Sequence, residues 1–201
     1  MFTLIDDLIE EIIIDDHTFQ LNMAFDNIIR INNIQNDERL SDSEQLIKGA
    51  QLLFNNPPNI GLHQLCEAFI KAYVEVIGMA KDDVEYDLRG NPMPKANSGG
   101  EDDNEVYSDL TQDAEYIYAS FRMDYGIDLL KERGKMHWYV FRALLAGLSD
   151  EAIFKKVVRI RQEPLPKSGK ARTDMEKLKK QYALMPSRKA VRDEGNQMQE
   201  M

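Results

Sequence analysis

Met136-His137-Trp138-Tyr139-Val140-Phe141-Arg142-Ala143-Leu144-Leu145-Ala146-Gly147-Leu148 is the densest apolar stretch of the 201-residue chain. Its apolar residues fall nearly all round a helical wheel, and a helix without a polar face belongs in the middle of a core. The flanking periods are helical too. Upstream, Asp109 followed three residues later by Gln112 has the form of an N-cap, and Ala114, Ile117, Tyr118, Phe121 and Tyr125 make one stripe that Gly126 ends. Downstream, Ser149 reads as the cap of a helix with Asp150 and Glu151 in its first turn and Ile153, Phe154, Val157, Val158 and Ile160 on its packed side. That assignment leaves Lys155, Lys156, Arg159 and Arg161 facing outward, until Glu163-Pro164-Leu165-Pro166 stops the helix.

The N-terminal half repeats the helical theme after a different start. Glu11-Ile12-Ile13-Ile14, a polar turn, and the alternation through Phe19 and Leu21 predict a β-hairpin, although Leu4, Ile5, Leu8 and Ile9 could instead run as a helix into Ile12 and Ile13. From Ala24 the period changes: Phe25, Ile28, Ile29 and Ile34 form a first helical stripe. Ser41 and Glu44 make a capping box for a second helix, carrying Leu46, Ile47, Ala50, Leu53 and Phe54 inward until Asn55-Asn56-Pro57-Pro58. A third starts near Leu62, with Leu65, Cys66, Phe69, Tyr73 and Ile77 on its apolar side. The expected fold is mainly α, a helical bundle with a short N-terminal β-hairpin and a polar, partly disordered C-terminal tail.

Residues 82–109 break this pattern with clustered Asp, Glu, Gly, Asn and Pro, and read as a mobile acidic loop inside a single helical domain at 1–161. Residues 162–201 read as a basic C-terminal extension in which Met175, Leu178, Tyr182 and Leu184-Met185 hint at one more helix. The net charge of −10 conceals a division: residues 1–120 hold 7 Lys+Arg against 24 Asp+Glu, and residues 121–201 hold 18 against 11, so the halves carry −17 and +7. Such a chain can pair its halves internally or offer its basic end to an acidic partner. The longest apolar runs fall far short of the ~18 residues of a membrane span, so no membrane association is expected. A start without Lys or Arg before the first acidic residues lacks a secretory n-region, which points to the cytosol.

Chemistry-bearing motifs are sparse. His17, His63 and His137 have no second ligand three or four residues away on a helix, and the single Cys66 can form neither an internal disulfide nor a zinc site alone. Asp83, Glu85 and Asp87 alternate like calcium ligands, but Leu88 stands where the loop glycine is needed. No phosphate loop, nucleophile elbow or metalloprotease helix is found, so neither an enzyme nor a cofactor is expected. The partner-binding candidates are Trp138, Tyr139 and Arg142, residue types common at binding hot spots, together with the basic set Lys155, Lys156, Arg159 and Arg161. For the aromatic group, core packing is the competing explanation. The 13 Lys+Arg against 3 Asp+Glu in residues 155–192 could contact a phosphate backbone, but no reader motif accompanies them and the acidic remainder opposes nucleic acid.

The second block, Asp113-Ala114-Glu115-Tyr116-Ile117-Tyr118-Ala119-Ser120-Phe121, then Tyr125-Gly126-Ile127-Asp128-Leu129, then Met136 to Leu148, resembles the bacteriophage gene-product-fifteen family of tailed phages and prophages of Gram-positive bacteria. The opening hairpin and first helix are similar to that family as well, so the resemblance spans about Met1 to Arg161 and is weak across the acidic loop. It implies a non-enzymatic tail-morphogenesis factor, a tail assembly chaperone that binds the tape-measure protein and helps the tail-tube protein polymerise, absent from the mature virion. A structural head–tail or tail-completion protein is the alternative, a basic-tailed nucleic-acid binder the third, and a homo-oligomer stays open. No catalytic, cofactor or metal residue is implied.

Overall fold

A computed structural model describes residues 4–5, 7–77 and 107–185. The hairpin forms, with β1 (Glu11–Ile14) antiparallel to β2 (His17–Leu21). Asp15 and Asp16 make its two-residue turn at φ 49° and 63°. Aspartate tolerates this left-handed region better than most residues, and two positive φ values give the turn whose twist matches that of the strands. The helical alternative for this stretch is thereby set aside from Glu11 onward.

α1 (Phe25–Gln35) and α2 (Asp42–Leu53) follow as the periodicity requires. The Ser41 box closes reciprocally: Ser41 Oγ accepts the Glu44 N–H at 3.4 Å, and Glu44 Oε2 accepts the Ser41 N–H at 2.9 Å. After α2 the chain does more than stop. Phe54–Asn55 pairs with β2 as a third strand, β3, giving the order β1-β2-β3. Two residues carry no readable strand period, so only the tertiary pairing reveals it. α3 (Leu62–Ala72) continues into a wider π turn over Tyr73–Ile77.

The second block comprises α4 (Ala114–Tyr125), α5 (Trp138–Ala146), α6 (Ile153–Gln162) and α7 (Lys170–Tyr182). Gly126 ends α4 at φ 68°, as its position predicts. Asp109 does accept the Thr111 and Gln112 N–H groups, at 2.8 and 2.7 Å, but it organises a turn and the regular helix starts five residues later. Ser149 caps nothing, since its hydroxyl and amide go to Asp124. The Phe154 N–H at the start of α6 is instead accepted by Ser120 Oγ of α4 at 3.0 Å, a buried cap delivered by a neighbouring helix.

Both blocks share one core. The chain entering α1 and the chain entering α5 run antiparallel, the Trp138 N–H donating to the Met23 carbonyl at 2.7 Å and the Phe25 N–H to the Met136 carbonyl at 3.0 Å. Phe141 then meets three rings, with centroids 4.8 Å from Phe25, 5.4 Å from Phe121 and 5.7 Å from Trp138, all nearly parallel. α5 is thus central, though not apolar-buried all round, because Ala143 and Ala146 face solvent.

Candidate partner-binding surface

Two aromatic candidates belong to the interior. Trp138 is 3% exposed, and its indole N–H donates to the Ile77 carbonyl at 3.2 Å. The Tyr139 hydroxyl donates to the neighbouring Val76 carbonyl. Together they satisfy carbonyls left open where the π turn ends the third helix. Burial pushes the Tyr139 hydroxyl pKa up, with Arg142 pulling weakly the other way. Arg142 lies with its guanidinium carbon 5.9 Å from the Trp138 ring centroid, a cation–π arrangement at the rim of the core. This trio therefore ties α5 to the end of α3, and only the outer edges of Tyr139 and Arg142 reach the surface.

The basic set divides. Lys155, Lys156 and Arg159 lie on the outer side of α6, each with a local partner: Lys155 Nζ donates to the Ala146 carbonyl at 3.2 Å, Lys156 to Glu151 at 2.8 Å, and Arg159 to Asp150 at 3.2 Å. The hydrogen bond from Lys156 is the main reason the Glu151 carboxyl pKa is lowered. Asp150 and Glu151 thus offset two of these three charges, while α7 carries Lys170, Arg172, Lys177, Lys179 and Lys180 against Asp174 and Glu176, with Arg172 paired to Glu176.

Arg161 does not face outward. Its side chain is 8% exposed and grips Asp113, 1% exposed, through Nη2–Oδ1 at 2.6 Å and Nη1–Oδ2 at 2.8 Å. Nη1 also donates to the Tyr107 carbonyl at 2.8 Å and Nε to the Tyr182 carbonyl at 2.6 Å. Asp113 Oδ2 further accepts the Asp109 N–H at 2.9 Å. A planar fork paired with a carboxylate and two carbonyls satisfies the buried charge that would otherwise be costly. The sequence held a signal for the burial of each side chain, though not for their meeting: Asp113 lies four residues before Ile117, and Arg161 four after Val157, so each charge continues an apolar stripe.

This knot also fixes what surrounds it. Tyr107 to Asp109, the end of the segment read as a loop, is tied to α4 and α6, while the rest of 82–109, with the calcium-like Asp83, Glu85 and Asp87, lies outside the described residues, as does the chain past Met185. α7, read as part of an extension, is docked: Lys179 Nζ donates to the Arg161 carbonyl at 2.6 Å, Tyr182 meets Tyr116 edge-on, and the Met185 N–H donates to Gln112 at 2.7 Å.

A groove lined by Glu10, Gln20, Met23, Glu132, Lys135 and His137 opens beside the α1–α5 junction. His137 sits at the N-cap of α5 rather than within it. Nδ1 accepts the Tyr139 N–H at 3.1 Å, which leaves Nε2 to donate to the Ile9 carbonyl, also at 3.1 Å. Both ring nitrogens are committed to the backbone, as a satisfied structural histidine requires. Among the described residues no three His, Cys, Asp or Glu side chains gather as a metal site, and no helix is long and apolar enough to cross a membrane.

A surface feature outside the candidate set is apolar. Leu62, Cys66, Ile70 and Val74 recur every four residues along α3 and its π turn, with Leu62, Ile70 and Val74 exposed and Cys66 half-buried. A ridge of His63, Glu67, Lys71 and Glu75, alternating basic and acidic types, runs beside it. Phe69, Ala72 and Val76 are buried and hold the helix in the core.

The family described as Bacteriophage Gp15 protein matches residues 4–184, and the chain belongs to that family. The match runs past Arg161 to the end of α7, in keeping with the docking of that helix. It makes this a phage-related protein. No curated protein and no solved structure matches the chain.

Proposed function

We propose that this family member is a non-enzymatic tail-morphogenesis factor acting as an assembly chaperone for the phage tape-measure protein, with the tail-tube protein as a second partner. The observation carrying this reading is the exposed apolar ridge of Leu62, Ile70 and Val74 on a helix otherwise anchored in the core. A long helical client needs an apolar surface to lie against, and helix-on-groove docking uses side chains at such spacings. The neighbouring charges keep the ridge soluble when empty. Lys155, Lys156 and Arg159 supply a second, electrostatic contact for acidic stretches of the client, while Trp138 and Arg161 act from within by holding the frame. The chaperone works in the host cytoplasm and leaves before the particle matures.

Co-expression tests the reading. The tape-measure protein should stay soluble and co-purify with this chain, and mass spectrometry of finished virions should find the chain missing or scarce. Stoichiometric copies in mature particles would overturn the chaperone role in favour of a head–tail or tail-completion component. The nucleic-acid reading is less well supported, because Lys156 and Arg159 already pair with carboxylates and Lys155 with a carbonyl.

A further inference from the structure

The sheet is open along one side. β1 is the outermost strand, and its pairing with β2 alternates: Ile14 and His17 flank the two-residue turn, Ile12 faces Phe19, and the Leu21 N–H donates to the Glu10 carbonyl at 2.7 Å. These are the hydrogen-bonded positions of an antiparallel ladder, so the N–H and C=O groups of Glu11 and Ile13, which fall between them, point away from β2. Among the described residues no backbone group pairs with them. Proteins blunt such an edge with lysine, proline, a bulge or a covering element. β1 carries no lysine or proline, no bulge interrupts its pairing with β2, no element among the described residues covers its outer side, and Ile13 is 69% exposed.

The chain's own charges along β1 and its flanks have one sign. Asp7, Glu10, Glu11, Asp15 and Asp16 bracket it, and the first Lys or Arg in the chain is Arg30. The cation that reaches the strand's turn is Lys71, whose Nζ lies 3.2 Å from Asp15, and both side chains remain largely exposed. A second copy pairing antiparallel about Ile13 would bring Glu11 against Asp15 of that copy, a like-charge contact that opposes self-association.

We propose that the outer edge of β1 is a docking site for an extended strand of a partner protein that carries a cation, an apolar residue and a second cation at every second position, all on one face. The partner's backbone completes the ladder with Glu11 and Ile13, its apolar side chain covers Ile13, and its cations on the same face meet Glu11 and Asp15. The site adjoins the charged ridge of α3 at Lys71 but uses the backbone of β1 and none of the apolar residues of α3, so it stands whether or not the tape-measure protein is the client.

The probe is a short synthetic lysine–valine peptide, Thr-Lys-Thr-Val-Thr-Lys-Thr, whose lysines and valine share one face of an extended strand. Controls are its glutamate–valine counterpart and a lysine–valine peptide N-methylated on alternate amides. With the full chain, the lysine–valine peptide should bind, shift the Glu11 and Ile13 amide resonances, and weaken as salt rises. Both controls should fail to bind. Ile13→Pro removes only an outward N–H, so the melting temperature should hold while affinity drops at least about tenfold. Should that variant lose its fold, Ile13→Lys, which keeps the backbone and places a cation on the edge, should show the same drop. Unchanged affinity in a folded variant, equal binding of the glutamate–valine or N-methylated peptide, or a dimer of the unliganded protein abolished by either Ile13 variant would overturn the proposal.

Discussion

Phe141 shows how much one side chain can hold: its ring touches Phe25 from the first block and Phe121 and Trp138 from the second, at 1% exposure. Phe141→Ala should cost roughly 3–5 kcal/mol in a denaturant melt, because it removes the shared face of three rings and leaves a cavity. Gly49 argues in the opposite direction to helix propensity. Alanine normally favours a helix interior by about 1 kcal/mol over glycine, but a Cβ here would fall on the Phe69 ring and 2.8 Å from Gln35 Nε2. Gly49→Ala should therefore lower stability, by about 1–3 kcal/mol, as overpacking does. At the Asp113–Arg161 pair, Arg161→Ala strands a buried carboxylate and should cost about 3–5 kcal/mol. Replacing both partners by apolar residues of similar size should cost clearly less than the single change, a double-mutant comparison that separates the pair's own worth from the penalty of orphaning one charge.

Between elements, α7 is the piece with the least holding it. No residue of Lys170–Tyr182 is buried, and the helix is tied by the Arg161, Lys179 and Tyr116 contacts and the Gln112–Met185 bonds. Its amides should exchange with deuterium well before those of α4 and α5, since segments poor in buried apolar contacts open first. Exchange of α7 in step with α5 would show that it belongs to the same cooperative unit. The same contrast explains what was legible in the sequence. Helices with a strong stripe, such as the one through Phe25 and Ile28, and caps written in nearby residues, such as Ser41 with Glu44, can be read locally, although the fully buried Ile31 falls outside the stripe as read from the sequence. The third strand at Phe54–Asn55, the Ser120 cap on α6 and the Asp113–Arg161 knot join residues distant along the chain, and no local period encodes their meeting. The surface followed the same rule: the basic types on α6 were readable, but whether each stays exposed depended on partners far away, and the exposed Ile70 and Val74 of α3 fall outside the stripe of Leu65, Phe69 and Ile77 that marks its packed side.

For the whole molecule, two surfaces compete for credit in gripping a client, the apolar ridge of α3 and the basic face of α6. They respond differently to salt, because exposed charge contacts are screened beyond about 10 Å at 0.1 M whereas apolar burial is not weakened by added salt in this way. The α6 cations are already engaged with Asp150, Glu151 and the Ala146 carbonyl, and exposed pairs of this kind are worth about 0–1 kcal/mol each, so they steer more than they hold. An Ile70→Asp/Val74→Asp double variant places two carboxylates on the ridge without touching a buried residue, and it should keep its melting temperature yet lose most tape-measure co-purification. Reversing Lys155, Lys156 and Arg159 to glutamate should slow capture and make it less salt-sensitive while leaving most of the complex intact. If the charge-reversed protein alone loses its client, and high salt dissolves the wild-type complex, the basic face is the grip and the ridge of α3 must be assigned another role.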